Sequence, residues 1–203
     1  MLEKRKSLKK RRFKVFSISR ISLSPSLLTF FLGCGIGFIF YPIVNPQWNV
    51  FSTEQAHIQA CFSPQGHCTD RIVSAIERAE SSILVMAYSF TSPPIAQALA
   101  NAFERGVNVK VLIDKSQLKG KYSQLSFLFQ KDIPVLIDDI AGIAHNKVMI
   151  FDERYVLTGS FNFSQAAETK NAENLLLIDD PALAQVYKKN WDYRARKAQQ
   201  LFK

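Results

Sequence analysis

The stretch that decides the fold is Ala144–Phe163, AHNKVMIFDERYVLTGSFNF. Lys147–Phe151 is an apolar run that reads as a strand. Asp152–Arg154 is a turn, and Tyr155–Thr158 is a second strand returning antiparallel. Side chains two apart in an extended chain share a side, so His145 and Lys147 share a face at the head of the first strand. The return strand brings Gly159-Ser160-Phe161-Asn162 back to the end where His145 stands. An imidazole, an ammonium, a hydroxyl and a carboxamide are thereby gathered at one place. A cation with neutral donors around it is the environment a phosphate oxyanion needs.

Upstream of this hairpin, strand and helix patterns alternate. His57–Phe62, Ile83–Tyr88, Val107–Ile113 and Pro134–Ile137 read as strands. Residues 70–80 carry Ile72, Val73, Ile76 and Ala79 on one helical face. A second helix opens with Ser92 as cap and Pro93 at its first position, and Gly106 follows its end. Tyr122–Gln130 reads as a third helix. Downstream, Asn174–Ile178 is a strand, and Asp180 caps a last helix beginning at Pro181. The expected fold class is α/β, a mixed sheet flanked by helices on both faces.

The chain has 203 residues, 47% of them hydrophobic and 12% aromatic, ample for one domain of ordinary size plus an appendage. The net charge of +9 is concentrated at the front. Residues 1–25 hold nine Lys or Arg against Glu3, a balance of +8, which leaves the remaining 17 basic and 16 acidic residues at +1. Any hold on polyanions must therefore come from a local patch rather than from bulk charge. After this basic tail, Leu27–Val44 runs 18 residues without a charge. As a helix it would rise about 27 Å, close to the hydrocarbon thickness of a bilayer. The expected organisation is a cytoplasmic tail over 1–25, a single membrane anchor over 26–44, a linker over 45–55 and a catalytic domain over 56–203. Positive charge before the span places the domain on the periplasmic side of an inner membrane. A cleaved signal, a lipoprotein signal ending at Cys34 and a buried core helix are the competing readings of residues 26–44.

The spacing His145-x-Lys147, Asp152, Gly159-Ser160-x-Asn162 resembles the H-x-K-x4-D-x6-G-S-x-N signature of the phospholipase D superfamily. The context agrees, with FSP at 62–64, MAYSFTSP at 86–93 and AAETKNAEN at 166–174. These segments resemble the bacterial endonuclease branch, which carries the signature once per chain. The resemblance covers about residues 57–195. It implies the phospholipase D/nuclease fold and a metal-independent phosphodiesterase. In that scheme His145 attacks phosphorus to give a phosphohistidine, and Lys147 and Asn162 hold the nonbridging oxygens. Ser160 assists, and Glu173 orients the histidine. Asp152 belongs to the signature and is a catalytic candidate, although a turn-stabilising role is at least as natural for it.

In-line displacement needs a nucleophile on one side of phosphorus and an acid on the other. This chain has one H-x-K, and His57 and His67 lack the surrounding residues. The resemblance implies a homodimer in which two copies of His145 meet across a two-fold axis. It implies no cofactor and no metal, and the pairs Asp138–Asp139 and Asp179–Asp180 read as turn and cap residues. Cys61 and Cys68 bracket a short loop and are a disulfide candidate for an exported domain; two reduced thiols and a zinc site with His67 are the alternatives. Three functions follow: an endonuclease acting on DNA or RNA, a phospholipase D-type hydrolase of phospholipid headgroups, and a non-catalytic membrane-tethered binder of nucleic acid. Lys115, Lys119, Lys121, Lys170, Lys188 and Lys189, near element ends, are the basic residues available to a polyanion.

Overall fold

A computed structural model describes residues 57–200. The tail, anchor and linker expected over 1–55 lie outside them, and among the described residues no helix is long and apolar enough to cross a membrane. In chain order the elements are β1 (His57–Ser63), α1 (Cys68–Arg78), β2 (Ser82–Ala87), α2 (Pro93–Glu104), β3 (Asn108–Asp114), a 3-10 turn (Lys115–Lys119), α3 (Leu125–Gln130), β4 (Val135–Asp138), β5 (Lys147–Phe151), β6 (Tyr155–Gly159), α4 (Gln165–Thr169), β7 (Glu173–Asp179), α5 (Pro181–Ala195) and β8 (Gln199–Gln200). They build one eight-stranded sheet in the order β1-β7-β6-β5-β2-β3-β4-β8. β2, β3 and β4 run parallel, and every other pairing is antiparallel.

The alternation of side chains across the sheet explains the three layers. In β2, Ile83, Val85 and Ala87 join α1, α2 and α3 in one core. Leu84 and Met86 point the other way and meet Ala184 and Trp191 of α5 in a second core. A strand buried on both faces must be apolar throughout, which is why SILVMA shows no polar alternation. The indole N–H of Trp191 donates to the Val85 carbonyl (3.1 Å), so the largest side chain of the second core leaves no buried polar atom unpaired.

Two expectations shift. The third helix begins at Leu125 rather than Tyr122, because Gly120–Ser123 closes a turn, with the Ser123 N–H donating to the Gly120 carbonyl (3.0 Å). Ser92 does precede α2 in extended conformation, but its side chain makes no capping bond. Asp180, by contrast, accepts from the Leu183 N–H (3.0 Å) and caps α5 as expected.

The register defines two poles. Ala87 pairs with Lys147, Val148 with Thr158, Gly159 with Leu175, and Glu173 with Ser63. The start of β5, the end of β6 and the carboxyl ends of the parallel strands therefore lie together. Phe151, Tyr155, Asp179 and His57 occupy the opposite pole.

Candidate active site

Lys147 heads β5 and is only 6% exposed, whereas His145, two residues earlier, lies outside the strand and is exposed. The segment leading to the histidine is held by a residue sequence reasoning did not single out. Asp114, 1% exposed at the end of β3, accepts from the Ala144 N–H (2.7 Å) and the Ser116 N–H (2.9 Å). Burial works to raise its pKa, but the hydrogen bonds from Ser116 and Ala144 outweigh it and hold the carboxyl below its usual range. A buried aspartate thus stays ionised and fixes the backbone immediately before His145.

Tyr88, just past β2, forms the floor. Its ring lies 4.6 Å from the His145 ring at 56°, and the Lys147 ammonium sits 5.1 Å from its centroid. The Tyr88 N–H donates to the Asn146 carbonyl (2.8 Å), tying β2 to the His145–Lys147 segment. Lys147 donates to the His145 carbonyl (3.2 Å) and has no ion-pair partner among the described residues. Burial lowers its pKa, and the nearby charge of Glu173 partly restores it. A buried ammonium with donors to spare is costly for the empty fold and useful to an anion.

Ser160 links the end of β6 to β7. Its hydroxyl donates to Glu173 Oε2 (2.5 Å) and accepts from the Asn174 N–H (3.1 Å), while its own N–H donates to the Asn174 carbonyl (3.0 Å). Gly159 makes this crossing possible: at φ +152, a Cβ would stand 2.3 Å from the Asn174 carbonyl oxygen. Asn162 follows at the same pole, and its Oδ1 is buried with no hydrogen-bond partner among the described residues. Buried carboxamide oxygens are nearly always paired, so this one marks a place where a donor belongs.

The structure thus brings His145, Lys147, Ser160, Asn162 and Glu173 to one pole. The expected contact between Glu173 and His145 is not made within the chain. Glu173 instead accepts from Ser160 and, through Oε1, from Asn171 Nδ2 (2.9 Å), and the His145 ring makes no hydrogen bond among the described residues. Asp152 is not part of this cluster. It sits at the opposite pole, where its carboxylate accepts from the Glu80, Ser81 and Ser82 amides and the Ser81 hydroxyl at 2.7–3.2 Å. Its place in the spacing reflects the hairpin turn it forms, and it is withdrawn from the catalytic candidates. His57 also lies at the far pole, and exposed His67 stands 3.4 Å from Asp70. Cys61 and Cys68 are joined in a disulfide, which removes the thiolates a zinc site would need. Among the acidic pairs, Asp138 takes Arg194 (2.6 Å), Asp139 takes Lys115 (2.7 Å) and Asp179 takes Arg154 (2.7 Å).

A family model described as "Cardiolipin synthase, PLD-like domain" matches residues 72–194, most of the described chain and every residue of the cluster. The chain belongs to the phospholipase D superfamily. It is a phosphodiesterase of the branch that carries the signature once. A relative named phospholipase D from Rickettsia prowazekii (strain Madrid E) is 46% identical over 154 residues, covering 74% of this chain and 75% of that protein. The crystal structure of a phospholipase D family member, Nuc from Salmonella typhimurium, superposes with a TM-score of 0.70 at 39% identity, covering 73% of this chain and all of that one. NucT from Helicobacter pylori gives 0.67 at 25% identity, covering 72% of this chain and all of that one. Asp114 has no place in the superfamily signature, and Tyr88 and Asn174 stand only in the segments around it; the fold shows how the three support the site.

Proposed function

We propose that the chain is a metal-independent nuclease, anchored in the inner membrane by residues 26–44, with its domain on the periplasmic side. The observation that carries a phosphodiester substrate is Lys147: a buried ammonium that forms no ion pair among the described residues, near an exposed imidazole. Likeness in fold and sequence to Nuc and NucT supports nucleic acid as the polymer. The second reading, hydrolysis of phospholipid headgroups, is favoured by the rickettsial relatives named phospholipase D.

In this scheme a ring nitrogen of His145 attacks phosphorus in line and forms an N–P bond as the P–O bond to the leaving group breaks. The leaving oxygen takes a proton from the His145 of a second copy. That imidazole then removes a proton from water, which attacks the phosphohistidine and releases the phosphomonoester together with free His145. Lys147 and Asn162 bear the charge on the nonbridging oxygens. Exposure of His145, its lack of an orienting partner among the described residues and the orphaned Asn162 oxygen all fit a site completed by another molecule.

The test is side-by-side turnover by the full chain in detergent, with EDTA present, on labelled single-stranded DNA, RNA and phospholipid vesicles. Cleavage of polynucleotide is expected, with an acid-labile phosphoryl adduct on the protein that His145→Ala loses. Activity that vanishes in EDTA and returns with Mg²⁺, or full turnover in the His145→Ala variant, would overturn the mechanism. Exclusive hydrolysis of vesicles would move the assignment to the second reading.

A further inference from the structure

The lysines near element ends separate once the fold is known. Lys115 is paired with Asp139, and Lys188 lies between Glu153 (3.8 Å) and Asp192 (3.2 Å). Lys121 and Lys170 have no carboxylate partner among the described residues, and both line one cleft of about 740 Å³. Its other walls include Thr91, Pro93, Tyr122 and Gln165, and no acidic side chain lines it. Glu168, on the same short helix as Gln165, is turned away, accepting from the Thr69 N–H at the start of α1 (2.6 Å).

The cleft adjoins the candidate active site through two of its three walls. Thr91 and Pro93 follow Tyr88, the floor of the site, and the Thr91 and Ser92 N–H groups donate to the Phe163 carbonyl, one residue past Asn162 (2.8 and 3.0 Å). The segment from Gln165 to Lys170 bridges Asn162 and Glu173. The third wall is the Gly120–Ser123 turn, with Lys121 and Tyr122 at its tip. That turn is pinned on both sides to the backbone of Phe90: the Phe90 N–H donates to Gln117 Oε1 (3.2 Å), and the Gln124 N–H donates to the Phe90 carbonyl (3.0 Å). Tyr122 is nevertheless 70% exposed, with Lys121 Nζ 5.5 Å from its ring centroid. A large aromatic held out into water on a fixed turn, beside one ammonium group and sharing its cleft with a second, has no role in either core.

We propose that this cleft is the track for single-stranded nucleic acid flanking the scissile phosphate. Tyr122 stacks one unpaired base, and Lys121 and Lys170 hold the phosphates on either side of it. The inference rests on the nuclease reading and deepens it. Aromatic platforms between basic side chains bind single strands with little sequence preference, because every base presents a flat face. A duplex keeps its base faces stacked and would gain only the phosphate contacts.

The experiment compares the full chain in detergent with Tyr122→Ala, Tyr122→Trp and the double variant K121A/K170A. The substrates are a labelled single-stranded oligonucleotide and bis(p-nitrophenyl) phosphate, which has a scissile phosphate but no flanking nucleotides. Tyr122→Ala is expected to raise KM for the oligonucleotide about tenfold with kcat little changed, and Tyr122→Trp to restore it. K121A/K170A should flatten the dependence of log KM on log salt by about 1.4, the contribution of two phosphates on a single strand. The small substrate should be handled alike by all four proteins. Oligonucleotide KM unchanged in the variants, while wild type cleaves the oligonucleotide, overturns the cleft assignment alone. Loss of turnover on both substrates together overturns it as well, since that points to a structural role. Wild type that cleaves vesicle phospholipid but no oligonucleotide overturns the nuclease reading and this inference with it.

Discussion

Lys147 concentrates the conflict between stability and chemistry in one side chain. Burial depresses its pKa below the ordinary 10.5, so the folded chain holds the proton less tightly than the unfolded chain does. The resulting penalty is fully present below the folded-state value and is relieved as pH rises from there toward 10.5. Lys147→Met should therefore melt no lower than wild type at neutral pH, with the difference shrinking in alkali, a comparison for calorimetry across pH. The same variant should lose about 10²- to 10³-fold in kcat, as removal of a preorganised charge does. Protonated Lys147 is the form that holds phosphate, so the alkaline limb of kcat/KM should fall below pH 10.5, and Lys147→Arg should push it outward. At this scale the sequence was most informative for residues linked by short spacing: His145, Lys147, Ser160, Asn162 and Glu173 all fall within one hairpin and its neighbour. Asp114 was invisible because its partner Ala144 is 30 positions away and a lone aspartate after a strand looks like any turn residue.

At the level of elements, the β5–β6 hairpin was legible as strand, turn and strand, but not the work its turn does. The Arg154 N–H closes it onto the Phe151 carbonyl (2.9 Å), and both Asp152 and Glu153 take positive φ. Such twisted two-residue turns suit the twist of the flanking strands, and aspartate tolerates that region. The Asp152 carboxylate then staples the backbone leading into β2. Burial works to raise its pKa, and the amides of Ser82, Ser81 and Glu80 more than offset this, leaving it lowered. Asp152→Asn should lower stability by about 1–3 kcal/mol while leaving kcat per folded molecule unchanged. Because the folded-state value is depressed, the contribution is present above the unfolded-state pKa and fades as pH falls below about 4. Denaturation of the two proteins across that range should show their curves converging in acid; a kcat lost at full stability would restore Asp152 to the chemistry. The strands themselves were easy to read, since β2 and residues 111–113 of β3 are covered on both faces and must be apolar. α4 and the 3-10 turn were missed because five residues do not complete a helical hydrophobic pattern.

For the whole molecule, the layers and the mixed sheet follow from the alternation of strands and helices. A shared site makes a quantitative forecast. When wild type and His145→Ala subunits are co-expressed in equal amounts and pair at random, only pairs with two imidazoles turn over. About one quarter of the wild-type activity per subunit should remain. Independent monomers would retain about one half, and that outcome would rule out the shared site. Differential tags on the two subunits allow the mixed pairs to be isolated and assayed alone.

The opposite poles of the sheet bear on what such an enzyme can reach. The described chain starts at His57, and β1 carries it about 20 Å to Ser63, beside Glu173. The cluster around His145 thus lies a full strand length from the end at which the described residues begin. A handle attached at the His57 edge for immobilisation would therefore leave the reactive end free to reach substrate.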